Sequence, residues 1–228
     1  VFLGTISRDE KSMLEDKLYK KDKFFPDLIL EKNGKYKEDK WDINIENYRK
    51  DYYEHNLPNT DNKKICHEYL DGLQWVLSYY TRGVPNWEWC FKHHYAPFAY
   101  DIAQHIEKYV FQKYKESIPM LPFQQLLSVL PPKSHRLIPE PLNKLLSDEN
   151  SAIKKYCPDK IEIDVSGKRQ EWEGIVILPI VDFEVIKEEY GKHIDKVSEK
   201  DMRRNVVGKS YIYNYSPNTS FIFKSFYG

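Results

Sequence analysis

Residues 75–98 read WVLSYYTRGVPNWEWCFKHHYAPF, a stretch in which aromatic rings alternate with basic side chains. Arg82, Lys92, His93 and His94 stand among Trp75, Tyr79, Tyr80, Trp87, Trp89 and Phe91. Ring faces stack on nucleobases and nearby cations attract phosphates, so the segment holds the ingredients of a single-stranded nucleic-acid contact. The same rings also suit a core joint between two helices, and spacing alone favours that second reading. The adjacent pair His93-His94 raises the question of a metal, but sequence neighbours point apart and no third ligand stands at a usual spacing. No metal site is expected. The acidic pairs Asp148-Glu149 and Glu188-Glu189 lie in hydrophilic surroundings and read as solvated faces. There is no Gly-rich phosphate loop and no G-x-S-x-G elbow. Cys66, Cys90 and Cys157 are far apart and fit neither a zinc site nor a disulfide framework, so a reduced, intracellular setting is the expectation.

A chain of 228 residues makes one large domain, or a compact domain with appendages. Its hydrophobic fraction is 41% against 31% charged, but 18 Tyr, 11 Phe and 5 Trp bury much area per residue and can anchor a polar chain. The 35 basic and 35 acidic residues cancel. A free-standing nucleic-acid binder relies on basic excess, so any RNA contact here must be local or shared with a more basic region. No secretory signal pattern opens the chain and no run of 18 apolar residues crosses it, so neither export nor a membrane span is expected. The start at Val1 reads as that of a fragment.

The elements that must position these residues read as mainly α-helical, with a few short strands toward the C-terminus. Residues 1–40 form a charged, solvated connection in which Ser7 to Lys20 starts a helix with Met13, Leu14 and Leu18 on one face; Asn33-Gly34 reads as a loop. Residues 41–157 form the helical part. Helices are expected over 43–53, over 62–81 (Asp61 or Asn62 as cap, Gly83 as stop), over 98–114, in FQQLLSVL and in PEPLNKLL. Apolar Ile65, Tyr69, Leu70, Leu73, Val76, Leu77 and Tyr80 line one face of the second. Residues 158–228 mix strand and helix: IEIDVSG and WEGIVILPIV read as strands, Asp182 to Lys192 as a helix, Ser198 as a capped start, and YIYNYS and FIFKSF as extended edges.

Residues 72–102, GLQWVLSYYTRGVPNWEWCFKHHYAPFAYDI, closely resemble the signature of XRN-type 5′→3′ exoribonucleases, which runs roughly GLQWVL-YYY-G-x-x-W-x-WYYP-HYAPF-SD. Gly72, Leu73, Trp75, Val76, Tyr79, Tyr80, Gly83, Trp87, Trp89, His94, Tyr95, Ala96, Pro97, Phe98 and Asp101 match. PFQQLLSVLPPKSHRLIPEPLNKLLSD, IDVSGKRQEWEGIVILPIVD and SEKDMRRNVVG resemble further blocks in the family's order, and YRKDYYEHNL is similar to an upstream one. The resemblance runs from about Trp41 to Gly208. Thr81, Cys90-Phe91, Lys92, Ser166 and Asp201-Met202 depart from the usual residues, and residues 7–40 match no block.

The resemblance implies the helical second conserved region of an enzyme that degrades single-stranded RNA bearing a 5′-monophosphate. Magnesium would be held by carboxylates of the N-terminal nuclease block of the same parent protein, so this chain would hold no catalytic residue and be inactive alone. It would wrap that block, close the pocket and supply an aromatic for the RNA end, Trp87 or Trp89 in preference to Trp75, whose helical position favours packing. His93 and His94 would lie in the pocket or in a structural joint. Arg82, Lys92, Arg203 and Arg204 would meet phosphates or structural carboxylates, with Arg203-Arg204 tying the C-terminal block to the body by ion pairs. A non-catalytic RNA-contacting or scaffold module is the alternative. A cytoplasmic location is expected, with the nuclear branch of the family open.

Overall fold

The computed structural model of the chain describes residues 2–209, 211–215 and 217. Helix α1 (Phe2–Tyr19) precedes α2 (Leu28–Asn33) and an antiparallel hairpin of β1 (Gly34–Lys37) and β2 (Lys40–Ile43). Glu38 and Asp39 form the two-residue turn, both with positive φ, the arrangement whose twist matches a hairpin. Glu-Asp is not the usual sequence for such a turn, which is why the loop reading missed it. Nor is this opening stretch merely solvated. Leu18 and Leu30 bury with Ile43 and Tyr48, while the charges between them face water. Leu14 packs against that cluster, but Met13 points outward at 62% exposure.

Asn44 caps α3 (Ile45–Asn56) and Asp61 caps α4 (Asn62–Arg82), each by accepting from a backbone N–H three residues on. Gly83 ends α4 at φ 97°, a conformation open to glycine at no steric cost. The helix expected over 98–114 stops early, as α5 (Ala99–His105) and one 3-10 turn (Ile106–Lys108). Residues 109–121 instead run as an irregular strap along α4. The Gln74 amide donates to the Gln112 carbonyl at 2.7 Å and accepts from the Gln112 N–H at 2.9 Å. Tyr109 and Tyr114 hydroxyls reach the Asp71 carboxylate and carbonyl at 2.8 and 2.6 Å. The Gln74 side chain of α4 thus satisfies both backbone groups of Gln112, which a longer helix would have satisfied itself.

A second core gathers α6 (Pro122–Val129), α7 (Glu140–Ser147) and α8 (Phe183–His193) around Phe123, Leu127, Leu142, Leu146, Ile153 and Ile186. β3 (Glu162–Asp164) pairs antiparallel with β4 (Ile175–Ile177), and α9 (Glu199–Met202) starts at Ser198, which accepts from Asp201 N–H. The chain is mainly α-helical with a few short antiparallel strands, as expected. Residues 211–215 form no strand, and FIFKSF lies outside the described residues.

Two polar contacts hold the C-terminal part in place. Tyr95 donates to Asp164 at 2.7 Å, tying the β3–β4 hairpin to the HYAPF segment. Asn205, 3% exposed, accepts from the Phe123 N–H at 3.0 Å and donates to the Tyr190 hydroxyl at 2.6 Å, joining α9 to α6 and α8. The tie expected of Arg203-Arg204 is made instead by this neighbouring amide. Arg204 pairs with Asp201 in its own turn at 2.8 Å and lies over the Phe123 ring, while Arg203 is exposed. An amide bonds in both directions without the desolvation cost of a buried ion pair.

Asn205→Ala strands the Phe123 N–H and Tyr190 hydroxyl in the core and is expected to cost about 2–3 kcal/mol, read as a lower urea midpoint at unchanged m. Burial works to raise the Asp164 carboxyl, but donation from Tyr95 and Ser166 outweighs it and holds the group below the usual carboxylate range. A depressed folded pKa means the stabilisation is complete above about pH 4 and fades as pH falls through the folded value. Tyr95→Phe is therefore expected to lose about 1 kcal/mol at pH 7, a gap that narrows in denaturation curves taken below about pH 4.

Candidate nucleic-acid interface

Residues at 68, 71, 72, 75 and 79 recur at three- and four-residue intervals and share one face of α4. From this face rises a stack of three rings. Trp75 lies between Tyr79, at 5.6 Å between centroids and 7° between planes, and Trp89 of the following loop, at 6.0 Å and 22°. The Trp75 indole N–H donates to the Asn86 carbonyl at 2.9 Å, fixing the loop to the helix. Trp89 folds over Gly72, where a Cβ would stand 2.9 Å from its ring. Both Trp75 and Trp89 are thereby half-buried in packing.

Trp87 is different. Its ring is 50% exposed, while its backbone N–H is fastened to the Ser117 hydroxyl at 2.6 Å. On one side Asn86 donates to the Lys115 carbonyl and on the other accepts from Glu88 N–H, both at 2.8 Å. A pinned backbone thus projects an open indole beside the stack.

The two histidines separate as well. His93 Nε2 lies 2.8 Å from a Glu68 carboxylate oxygen on α4, with the Phe91 ring at 5.1 Å, and latches the loop's far end to the helix. Of the two, His93 makes the structural joint; His94 is half-buried and has no hydrogen bond among the described residues. Arg82 closes α4 and is exposed, as is Lys92, and neither has a carboxylate partner among the described residues. Lys92 lines a cavity of about 390 Å³ with Trp89, Asn86 and Tyr114. The acids around it are engaged: Glu68 by His93, Asp71 by Tyr109, Glu88 by Lys187. Burial pushes the Cys90 thiol up, against the pull of Lys92. Arg203 and Arg204 directly follow α9, with Arg204 over the Phe123 ring of the second core.

Sequence reasoning missed Glu68, Asn86 and Ser117. The helical spacing of Glu68 with Trp75 carried a signal; the loop and strap residues carried none. Among the described residues no three His, Cys, Asp or Glu side chains are placed to hold a metal ion. The arrangement offers stacking planes and cations. Gly72→Ala adds a methyl where Trp89 sits and is expected to displace that ring from Trp75, changing the near-ultraviolet circular dichroism while the far-ultraviolet spectrum stays helical. The roughly 1 kcal/mol gained from alanine's helix propensity offsets part of the lost packing.

The family model described as the Xrn1 helical domain matches residues 6–227, taking in the charged opening stretch that matched no recognised block. The chain is similar to 5'-3' exoribonuclease 1 of Saccharomyces cerevisiae, at 36% identity over 79% of the chain and 12% of that protein. It is similar to 5'-3' exoribonuclease 2 of Cryptococcus neoformans, at 38% over 72% of the chain and 15% of the relative. With 5'-3' exoribonuclease 2 of Schizosaccharomyces pombe it shares 36% identity over 79% of the chain and 19% of the relative. The chain thus spans 12 to 19% of the length of these curated relatives. Its matched span, its helical fold and its aromatic signature agree: the chain belongs to the XRN exoribonuclease family, as its helical domain.

Proposed function

We propose that this chain forms the wall of the RNA-end pocket in a magnesium-dependent 5′→3′ exoribonuclease, with Trp87 as the ring that stacks on a base of single-stranded, 5′-monophosphorylated RNA. The half-exposed Trp87 indole on a loop pinned at both sides carries this reading. Stacking on a ring face is indifferent to base identity, as a processive nuclease requires. Arg82 and Lys92 supply positive charge, with His94 two residues after Lys92, while His93, Trp75 and Trp89 hold the loop in shape. On this reading the metal and the hydrolytic chemistry belong to the N-terminal nuclease block of the parent protein. A stand-alone scaffold is the weaker reading, because a chain of zero net charge holds RNA poorly without a more basic partner.

In the full-length protein, Trp87→Ala is expected to weaken binding of 5′-phosphorylated single-stranded RNA by about 5- to 150-fold, from a stacking contribution of ~1–3 kcal/mol, with the melting temperature unchanged. Trp89→Ala is expected to lower the melting temperature as well. Unchanged affinity and turnover in Trp87→Ala would remove the stacking role. The 228-residue chain with magnesium and the same RNA is expected to release no nucleotide; release would put the catalytic carboxylates within it.

A further inference from the structure

Lysines crowd the end of α1 and the 3-10 turn after it (Lys21–Lys23), at Lys17, Lys20, Lys21 and Lys23. The fold brings two further cations to them from far along the chain. The Phe25 N–H donates to the Lys168 carbonyl at 2.7 Å and the Gly167 N–H to the Phe25 carbonyl at 3.1 Å, so the β3–β4 connection lies against this turn. Lys17 shares a cavity of about 680 Å³ with Lys168, and a crevice with Lys21 and Phe24. The Arg169 guanidinium lies over the Phe24 ring at 5.1 Å, and the Lys21 ammonium over the Trp41 ring at 5.5 Å. Lys17, Lys21, Lys23, Lys168 and Arg169 thus form one ridge, and none of them has a carboxylate partner among the described residues. The acids beside them are mostly engaged. Asp16 is paired with Lys20 at 2.5 Å, Asp27 caps α2 and Glu173 accepts from the Arg169 N–H. Across the cavity Asp51 is taken up by Lys32 and Asn33, Asp164 by Tyr95, and Glu54 faces Lys50. Asp22 in the turn and Glu31 at the crevice stay open.

We infer that this ridge is a second RNA contact, holding the phosphate backbone downstream of the 5′ end by charge alone. The inference rests on the proposed function, in which the 5′ end is held at Trp87, on a different loop. A row of cations attracts a phosphate backbone whatever its sequence, and the release of condensed counterions supplies the affinity. The Phe24 and Trp41 rings are each already faced by a cation, so the ridge offers charge rather than an open plane for a base. The same feature disfavours an acidic protein segment, because protein partners anchor through an apolar or aromatic side chain seated in a pocket. Contacts to phosphates also let a strand slide, as removal of one nucleotide after another requires.

Salt titration of RNA binding tests this, in the full-length protein with EDTA present to stop hydrolysis. Lys21→Gln, Lys23→Gln and Arg169→Gln together are expected to shrink the slope of log K against log salt by about 2 for an RNA of about 30 nucleotides, at roughly 0.7 per lost phosphate contact. An RNA of about four nucleotides, too short to reach the ridge, should bind as before. The charge-keeping set Lys21→Arg, Lys23→Arg and Arg169→Lys should retain the slope. An unchanged slope in the Gln set would overturn the inference, as would equal losses at both lengths or the same loss in the charge-keeping set. So would binding of a polyglutamate peptide that the Gln set abolishes while the RNA slope stays, which would make the occupant an acidic protein segment. Trp87→Ala should weaken both lengths alike without altering the slope. A silent Trp87→Ala beside a reduced slope in the Gln set keeps the ridge and removes the stacking role.

Discussion

Asp101 is buried, with both carboxylate oxygens engaged, one by the Arg49 guanidinium and the other by the Tyr53 hydroxyl at 2.7 Å. A carboxylate withdrawn from water costs several kcal/mol unless its partners are close and its lone pairs filled, so α3 and α5 are held in one relative position. Arg49 also lies over the Tyr100 ring at 4.3 Å, and its Nε is buried with no hydrogen-bond partner among the described residues. The Tyr53 hydroxyl takes the Phe98 N–H, while Glu10 of α1 accepts from Ala99 and Tyr100. A seven-residue helix is marginal in water; this one exists because α1 caps it and α3 grips its first turn. The aromatic loop is thus fixed at both ends, by Gly83 where it leaves α4 and by this cluster where it enters α5.

Those anchors mark the boundary between what local sequence shows and what it hides. Capping chemistry acts within three residues, so Asp61 and Ser198 are legible as helix starts, and the periodicity of α4 is plain over its whole length. The end of α5 is not. Its would-be continuation is claimed by Asp71 and Gln74, more than thirty residues earlier, and no window along the chain contains both partners. The opening stretch hides for another reason. One leucine per helical turn among lysines and acids is too sparse to stand out, yet Leu18 and Leu30 fill a core with Ile43 and Tyr48. Asn205 stood in plain view beside two arginines and was overshadowed by their charge, although an amide serves a buried junction better than a guanidinium does.

At the candidate site, residue type narrows the candidates and their surroundings distinguish them. Trp75, Trp87 and Trp89 are equal candidates by chemistry. They part only when neighbours are counted: Trp75 stacks with two rings, Trp89 is closed in by Trp75 and Gly72, and Trp87 is half-exposed with its backbone N–H held by Ser117. The adjacent histidines part in the same way, because one meets a carboxylate of α4 and the other does not.

Zero net charge and a role beside RNA are compatible when acids and bases are placed unequally. Around the aromatic loop the carboxylates of Glu68, Asp71 and Glu88 are each taken up, and Lys187, bonded to both Glu88 and Glu184, is held above the usual lysine range. Arg82 and Lys92 remain without such partners among the described residues. Elsewhere, acids and lysines pair across exposed helix turns, as Lys192 does with Glu188 and Glu189, and contribute little field at a distance once screened by salt. On the proposed reading, a phosphate approaching the loop would meet cations that have no carboxylate partner among the described residues, beside an open ring. The composition averages this away; the hydrogen bonds that occupy the acids restore it.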